Sequence, residues 1–152
     1  MGATNVMGRV AAMVGDIKEV SIEFQSTLDV PKAGVLLALP ALLATGLLQN
    51  TRHYFKLPNG YYGLDSIFIL IAFMSLARIK SVERLRYCAP GEWGKILGLD
   101  RIPEVRTLRE KLKILSEKGE LVKYSADLST QWMRDDLKEA ALFYMGADPL
   151  KR

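Results

Sequence analysis

The chain is nearly empty of the residues that build covalent or metal-held frameworks. Cys88 is its only cysteine and His53 its only histidine in 152 residues. A single cysteine closes no internal disulfide, so nothing points to an oxidising compartment. A structural zinc site needs about four Cys, His or carboxylate ligands, and the usual Cys/His set is missing. Cys88 reads as a small buried residue, since free cysteine behaves as a hydrophobe. His53 lies in the polar run Gln49-Asn50-Thr51-Arg52-His53. It reads as a surface residue, because no acid or nucleophile stands near it in sequence to pair with. No catalytic residue, metal ligand or cofactor is assigned. The start, Met1-Gly2-Ala3-Thr4-Asn5, has no basic stretch followed by an apolar run. It does not read as a secretory signal, and a cytoplasmic protein is expected.

Long apolar runs are also lacking. Residues 34–48 are uncharged but broken by Pro40 and Gly46, and the uncharged run 67–77 soon meets Arg78 and Lys80. A membrane-spanning helix needs about 20 apolar residues. Both runs therefore read as core helices, apolar all round because they lie inside a helical domain. No period-two alternation, repeat or low-complexity segment appears.

What is present is a globular composition, 49% hydrophobic and 25% charged, with helical patterning throughout. Residues 9–15 form a short helix ended by Gly15-Asp16. Asp29 followed by Pro31 signals the start of a helix over 31–48, kinked at Pro40. Residues 50–63 read as a loop, with a turn at Pro58-Asn59-Gly60. Asp65 or Ser66 caps a helix to about Ile79, and Ser81 caps a short one through Tyr87. Pro90 opens a helix over 91–97, closed by Gly98. Pro103 begins an amphipathic helix with Val105, Leu108, Leu112 and Leu115 spaced 3, 4 and 3; it ends at Lys118-Gly119. The last helix covers about 120–144, striped by Leu121, Tyr124, Leu128 and Trp132 and then Met133, Leu137, Ala140 and Tyr144. The expected fold is all-α: one compact multi-helix domain over 9–144 with a flexible N-terminus at 1–8 and a tail at 145–152. It contains two strongly apolar central helices, a helix-turn-helix at about 90–119 and a long C-terminal helix.

The net charge of +4 is unevenly spread. Residues 1–77 carry five bases against five acids, residues 78–123 twelve against seven, and residues 124–152 four against five. The positive excess thus sits on the middle helices. On the helix after Pro103, Arg106, Arg109 and Lys113 share one stripe, three and four residues apart. The apolar stripe faces elsewhere, so these side chains point to solvent. A short helix, a tight turn and a basic second helix are the parts of a DNA-reading unit. Arg106, Arg109 and Lys113 are the expected DNA contacts, with Thr107 on a phosphate or thymine methyl. Lys95 is assigned to the DNA backbone and Trp93 to the core, and Arg101 is a further expected DNA-binding residue. The competing reading of the same pattern is a solvated helix with internal ion pairs such as Glu110–Lys113.

Three stretches carry a family resemblance. LLALPALLATGLL at 36–48, LPNGYYGLDSIFILIAFMSLARIKSVERLR at 57–86 and PGEWGKILGLDRIPEVRTLREKLKIL at 90–115 resemble the N-terminal region of insertion-sequence transposases of the DDE type. GKILGLDRIPEVRTLREKL at 94–112 is the most specific part. The resemblance implies a helical, DNA-binding front region, with double-stranded DNA at transposon ends as its partner. It also implies a strand with a Tyr-x-Asp-Gly-His motif after the long helix, carrying the first catalytic carboxylate. Here that stretch reads Phe143-Tyr144-Met145-Gly146-Ala147-Asp148-Pro149, without the Asp-Gly-His core. A DDE site needs three acids on a sheet to hold two metal ions. The expectation is a transposase truncated before its catalytic domain, with Asp148 not catalytic, binding DNA and pairing with a second copy or the full-length enzyme. Asp135, Asp136 and Glu139 read as a solvated helix face. The rival readings are a helical interaction or oligomerisation module that does not touch DNA, and a two-helix membrane protein.

Overall fold

The computed structural model describes residues 5–28 and 30–146, with backbone alone at 118 and 138–146. Among these residues seven α-helices and two 3₁₀ segments follow one another, with no strand. The order is α1 (Val6–Val14), a 3₁₀ segment (Ala33–Ala38), α2 (Leu39–Ala44), α3 (Thr51–Tyr54), α4 (Leu64–Leu76), a second 3₁₀ segment (Val82–Tyr87), α5 (Pro90–Ile96), α6 (Val105–Lys118) and α7 (Leu121–Gly146). The expected all-α class is what forms. The helix-start signal assigned to Asp29 and the reading of Asp148 lie outside the described residues.

α4 is the axis of the core. Ile67, Leu70 and Phe73 are fully buried, with Leu64, Ile69 and Met74 nearly so. A helix covered on most of its circumference needs no polar stripe, which is why this run is almost uniformly apolar. Each such side chain contributes roughly 1.5–3 kcal/mol by leaving water. Its N-cap is Gly63 rather than Asp65 or Ser66. Asp65 sits instead in the first turn, where an acid complements the helix dipole, and accepts a bond from Arg52 at 3.0 Å. Ser66 donates to the Gly63 carbonyl at 3.0 Å.

The other apolar run departs from expectation. It does not form one kinked helix in the centre. A 3₁₀ turn precedes α2, Pro40 falls in the first turn of α2, and neither element contains a buried residue. Pro40 lacks an N–H, and only a first turn accommodates it without losing a helical bond. Val35, Leu36, Leu39 and Leu42 cover the edge of the core, while Leu37 is 86% exposed. No helix among the described residues is long and apolar enough to cross a membrane.

Three smaller expectations are also corrected. Asn5 caps α1 by accepting from the Gly8 amide at 2.8 Å, so residues 6–8, expected to be flexible, are helical. The loop at 50–63 contains the single turn α3, and His53 on it is exposed as expected. Cys88 is half-buried rather than buried.

α7 is held by its N-terminal half. Tyr124 packs edge-on against Phe55 and Phe68, with ring centroids 5.2 and 5.9 Å away. Its hydroxyl donates to the Leu47 carbonyl at 2.8 Å, and Trp132 Nε1 donates to the Thr45 carbonyl at 2.7 Å. Further along, Met133 and Leu137 are exposed. The stripe predicted to continue through them therefore leaves the core; the side chains of Ala140 and Tyr144 lie outside the described residues.

Candidate nucleic-acid interface

The apolar stripe of α6 packs as its spacing requires. Leu108 is fully buried, Leu115 nearly so, and Val105 and Leu112 lie against the same core. This turns Arg106, Arg109 and Lys113 outward, all exposed. Thr107 is half-buried.

The approach to α6 is not a tight turn. Residues 97–104, eight in number between the ends of α5 and α6, replace the three or four of a helix-turn-helix. α6 packs mainly on the 3₁₀ segment Val82–Tyr87, so that segment, more than α5, braces it. The loop is long because it does structural work. Leu97, Leu99 and Ile102 enter the core, and Gly98 turns the chain at φ +67°, a conformation glycine adopts without penalty. Trp93 on α5 is buried, as predicted.

Asp100 anchors this loop to α1 and to the Tyr61-Tyr62 pair. It accepts from the Asn5 amide at 2.9 Å and from Arg9 at 3.0 and 3.1 Å, and also from the Tyr61 hydroxyl. Arg9 additionally stacks over the Tyr61 ring, 4.2 Å from its centroid. Burial pushes the Asp100 carboxyl up, but the Tyr61, Asn5 and Arg9 donors outweigh it and hold the group below its ordinary range. Burial and the bond to Asp100 push the Tyr61 hydroxyl up, so it stays protonated and donates. Next in the chain, the Arg101 carbonyl accepts from the Tyr62 hydroxyl at 3.2 Å, and Ile102 N donates to the Pro90 carbonyl at 3.1 Å. Gly94 completes the fit: a Cβ there would lie 2.4 Å from the Arg101 backbone.

The anchored loop, the Val82–Tyr87 segment and the first turns of α6 enclose a cleft of about 720 Å³. Leu85, Pro90, Ile102, Pro103 and Val105 supply apolar wall, and Arg86, Arg101, Arg106 and Arg109 line it together with Glu104 and Glu110. Four arginines against two glutamates leave the cleft positive. Of the predicted residues, then, Arg101, Arg106 and Arg109 are brought together. Lys113 is exposed further along α6, and Lys95 lines a separate pocket with Asn5, Gly98 and Asp100.

The charges are not all free. Arg106 Nε donates to Glu110 at 3.0 Å, and Arg109 Nε to Glu83 at 3.0 Å, with a second Arg109 nitrogen on the same carboxylate oxygen. Lys113 lies 3.7 Å from Glu117. The predicted Glu110–Lys113 pair is replaced by Arg106–Glu110 and Lys113–Glu117, each four residues apart, a spacing that stacks side chains on one helix face. Glu83 is held at about 2 by its own backbone amide and then by Arg109 and Ser81. By contrast, Arg86 and Arg101 have no ion pair among the described residues. Sequence reasoning did not single out Arg86, because it took the contacts from the helix-turn-helix at about 90–119 and left the short helix before it aside. The signal was available in the positive balance of 78–123, which includes Arg84 and Arg86.

Among the described residues no group of three or more His, Cys, Asp or Glu side chains is placed to hold a metal ion. The Glu139 side chain lies outside them. A family model described as a transposase protein matches residues 1–149. No curated protein and no solved structure matches the chain.

Proposed function

Since the chain belongs to this transposase protein family over residues 1–149, we propose that it is the DNA-holding front region of an insertion-sequence transposase of the DDE type. It grips double-stranded DNA at transposon ends, with the phosphodiester backbone on the arginine cleft and α6 along the groove. The observation that carries this reading is the convergence of Arg86, Arg101, Arg106 and Arg109 on one cleft from three separate elements. Arginine's planar fork suits phosphate oxygens and guanine edges alike. Val82–Tyr87 and the 97–104 loop take the bracing role that the first helix plays in a helix-turn-helix. Arg86 and Arg101 make the backbone contacts most readily, having no carboxylate partner among the described residues. Arg106, Arg109, Thr107 and Lys113 follow along α6, and Lys95 contacts a flanking phosphate.

A mobility-shift titration with duplex DNA across a salt series tests this. Each neutralised phosphate releases counterions, so affinity falls linearly on a double logarithmic plot with a slope of about −0.9 per contact. Two to four contacts predict a slope of about −2 to −4. Absence of binding at low salt refutes the proposal.

A second reading, a helical interaction module, is favoured by α1. Val6, Met7, Val10, Met13 and Val14 are all exposed, and at 100° per residue they occupy one face of that helix. Sedimentation with and without DNA separates the two: concentration-dependent association with no DNA binding favours this second reading.

A further inference from the structure

The arginine cleft is larger and more apolar than a phosphate contact requires. A phosphate needs a guanidinium fork or two; it has no use for the apolar surface that Pro90 and Val105 present over the buried Leu85 and Ile102. In duplex DNA the base faces are covered by stacking, and only base edges, sugar and phosphate reach a protein surface. A cleft of about 720 Å³ lies within the range of sites that enclose a small organic ligand, about 300–1,000 Å³. From these observations we infer that the cleft takes one unpaired nucleotide of a DNA strand, its base against the apolar wall and its phosphate on Arg86 and Arg101. The inference rests on the DNA-binding reading above and adds a preference for single-stranded character.

Three features support it. The two arginines with no ion pair among the described residues come from different elements, one from the Val82–Tyr87 segment and one from the 97–104 loop, and line the same cleft. A phosphate held between them needs no ion pair broken. Arg106 and Arg109, with their Glu110 and Glu83 partners, also line the site, and a guanidinium plane can stack on a base face. The loop that bears Arg101 is fixed at Asp100, Arg101 and Ile102 by bonds to three other parts of the chain, α1, the Tyr61-Tyr62 pair and Pro90, so the site is formed before a ligand arrives and little ordering cost opposes binding.

The test uses the full chain and three labelled ligands: a blunt duplex, the same duplex with a short single-stranded tail, and that duplex with an abasic tail. The abasic tail keeps every phosphate and removes the bases. The natural tail is expected to bind about tenfold more tightly than the blunt duplex, the scale of one seated base. The abasic tail should lose most of that gain. Arg86→Ala and Arg101→Ala should each weaken the blunt duplex through a lost phosphate contact, and in addition should cut the advantage of the natural tail over the blunt duplex to about twofold or less. Equal affinity for all three ligands overturns the inference and leaves a plain backbone contact. So does an abasic tail that binds as tightly as the natural one. Failure to bind any of the three overturns the DNA-binding reading itself.

Discussion

Replacing Glu83 by Gln asks whether α6 faces DNA, and it does so by adding a free charge instead of removing one. In the folded chain Arg109 places two nitrogens on a single Glu83 oxygen. The Glu83 carboxyl is held at about 2 by its own backbone amide, by Arg109 and by Ser81, so it is ionised at any pH used for DNA binding. Arg109 is therefore charge-matched in the wild type. The side chains of the pair are 59% and 43% exposed, so water and salt screen their attraction and the fold does not depend on it. Gln keeps the shape of Glu and its backbone bond but cannot neutralise the guanidinium. If Arg109 faces the DNA, one additional phosphate is neutralised, and the salt slope steepens by about 0.9. Between 50 and 200 mM salt that steepening amounts to about a 3.5-fold larger loss of affinity in E83Q than in wild type. E83Q should accordingly bind more tightly at 50 mM, with its advantage shrinking as salt rises. Fluorescence anisotropy with a labelled duplex measures both quantities, and a thermal melt checks that the fold is kept. Glu92→Gln is the control: it removes the same charge from an exposed site on α5 that pairs with no arginine among the described residues. An unchanged slope in E83Q, or equal gains in E83Q and E92Q, refutes the placing of Arg109 on the DNA.

Other outcomes follow from the same geometry. Leu108→Ala, at the fully buried centre of the α6 stripe, should cost about 2–5 kcal/mol in urea unfolding. Gly94→Ala pushes a methyl group to 2.4 Å from the Arg101 backbone; it should cost about 1–3 kcal/mol and weaken DNA binding as Arg101 shifts, both readable by melt and anisotropy. Asp100→Asn leaves Arg9 facing a neutral amide, and removing one partner of a largely buried pair costs about 3 kcal/mol. Its pH dependence has a definite sign. The folded Asp100 carboxyl lies below its ordinary value of 3.8, so its stabilising effect is complete above that value and fades as pH falls through the folded one. Urea midpoints of wild type and D100N should differ most near neutrality and converge in acid; a gap that widens on acidification contradicts the network.

Much of the fold is legible in local pattern. Spacing of 3 and 4 among Val105, Leu108, Leu112 and Leu115 dictates both that α6 is a helix and which face it buries, because helical periodicity acts within a few residues. Gly15 and Gly98 mark real stops, since left-handed turns suit glycine. The charge partition likewise locates the basic surface in the middle of the chain. Those properties depend on neighbours in sequence, and the sequence alone determines them.

What only the tertiary structure decides is which distant residues meet. Two apolar runs look alike as strings, yet Ile67 and Phe73 lie at the centre of the core and Leu37 lies in solvent, because Pro40 interrupts the first run and the remaining elements close around α4. Glu83 and Arg109 are 26 residues apart, so nothing local could reveal that a carboxylate matches that arginine. Arg86 and Arg101 stand in different segments and share a cleft only because Asp100, bound by Arg9 and Tyr61, fixes the loop between α5 and α6. The basic stretch announces a partner of negative charge; the arrangement of its charges, some matched and some free, arises when the chain folds and long-range contacts select among them.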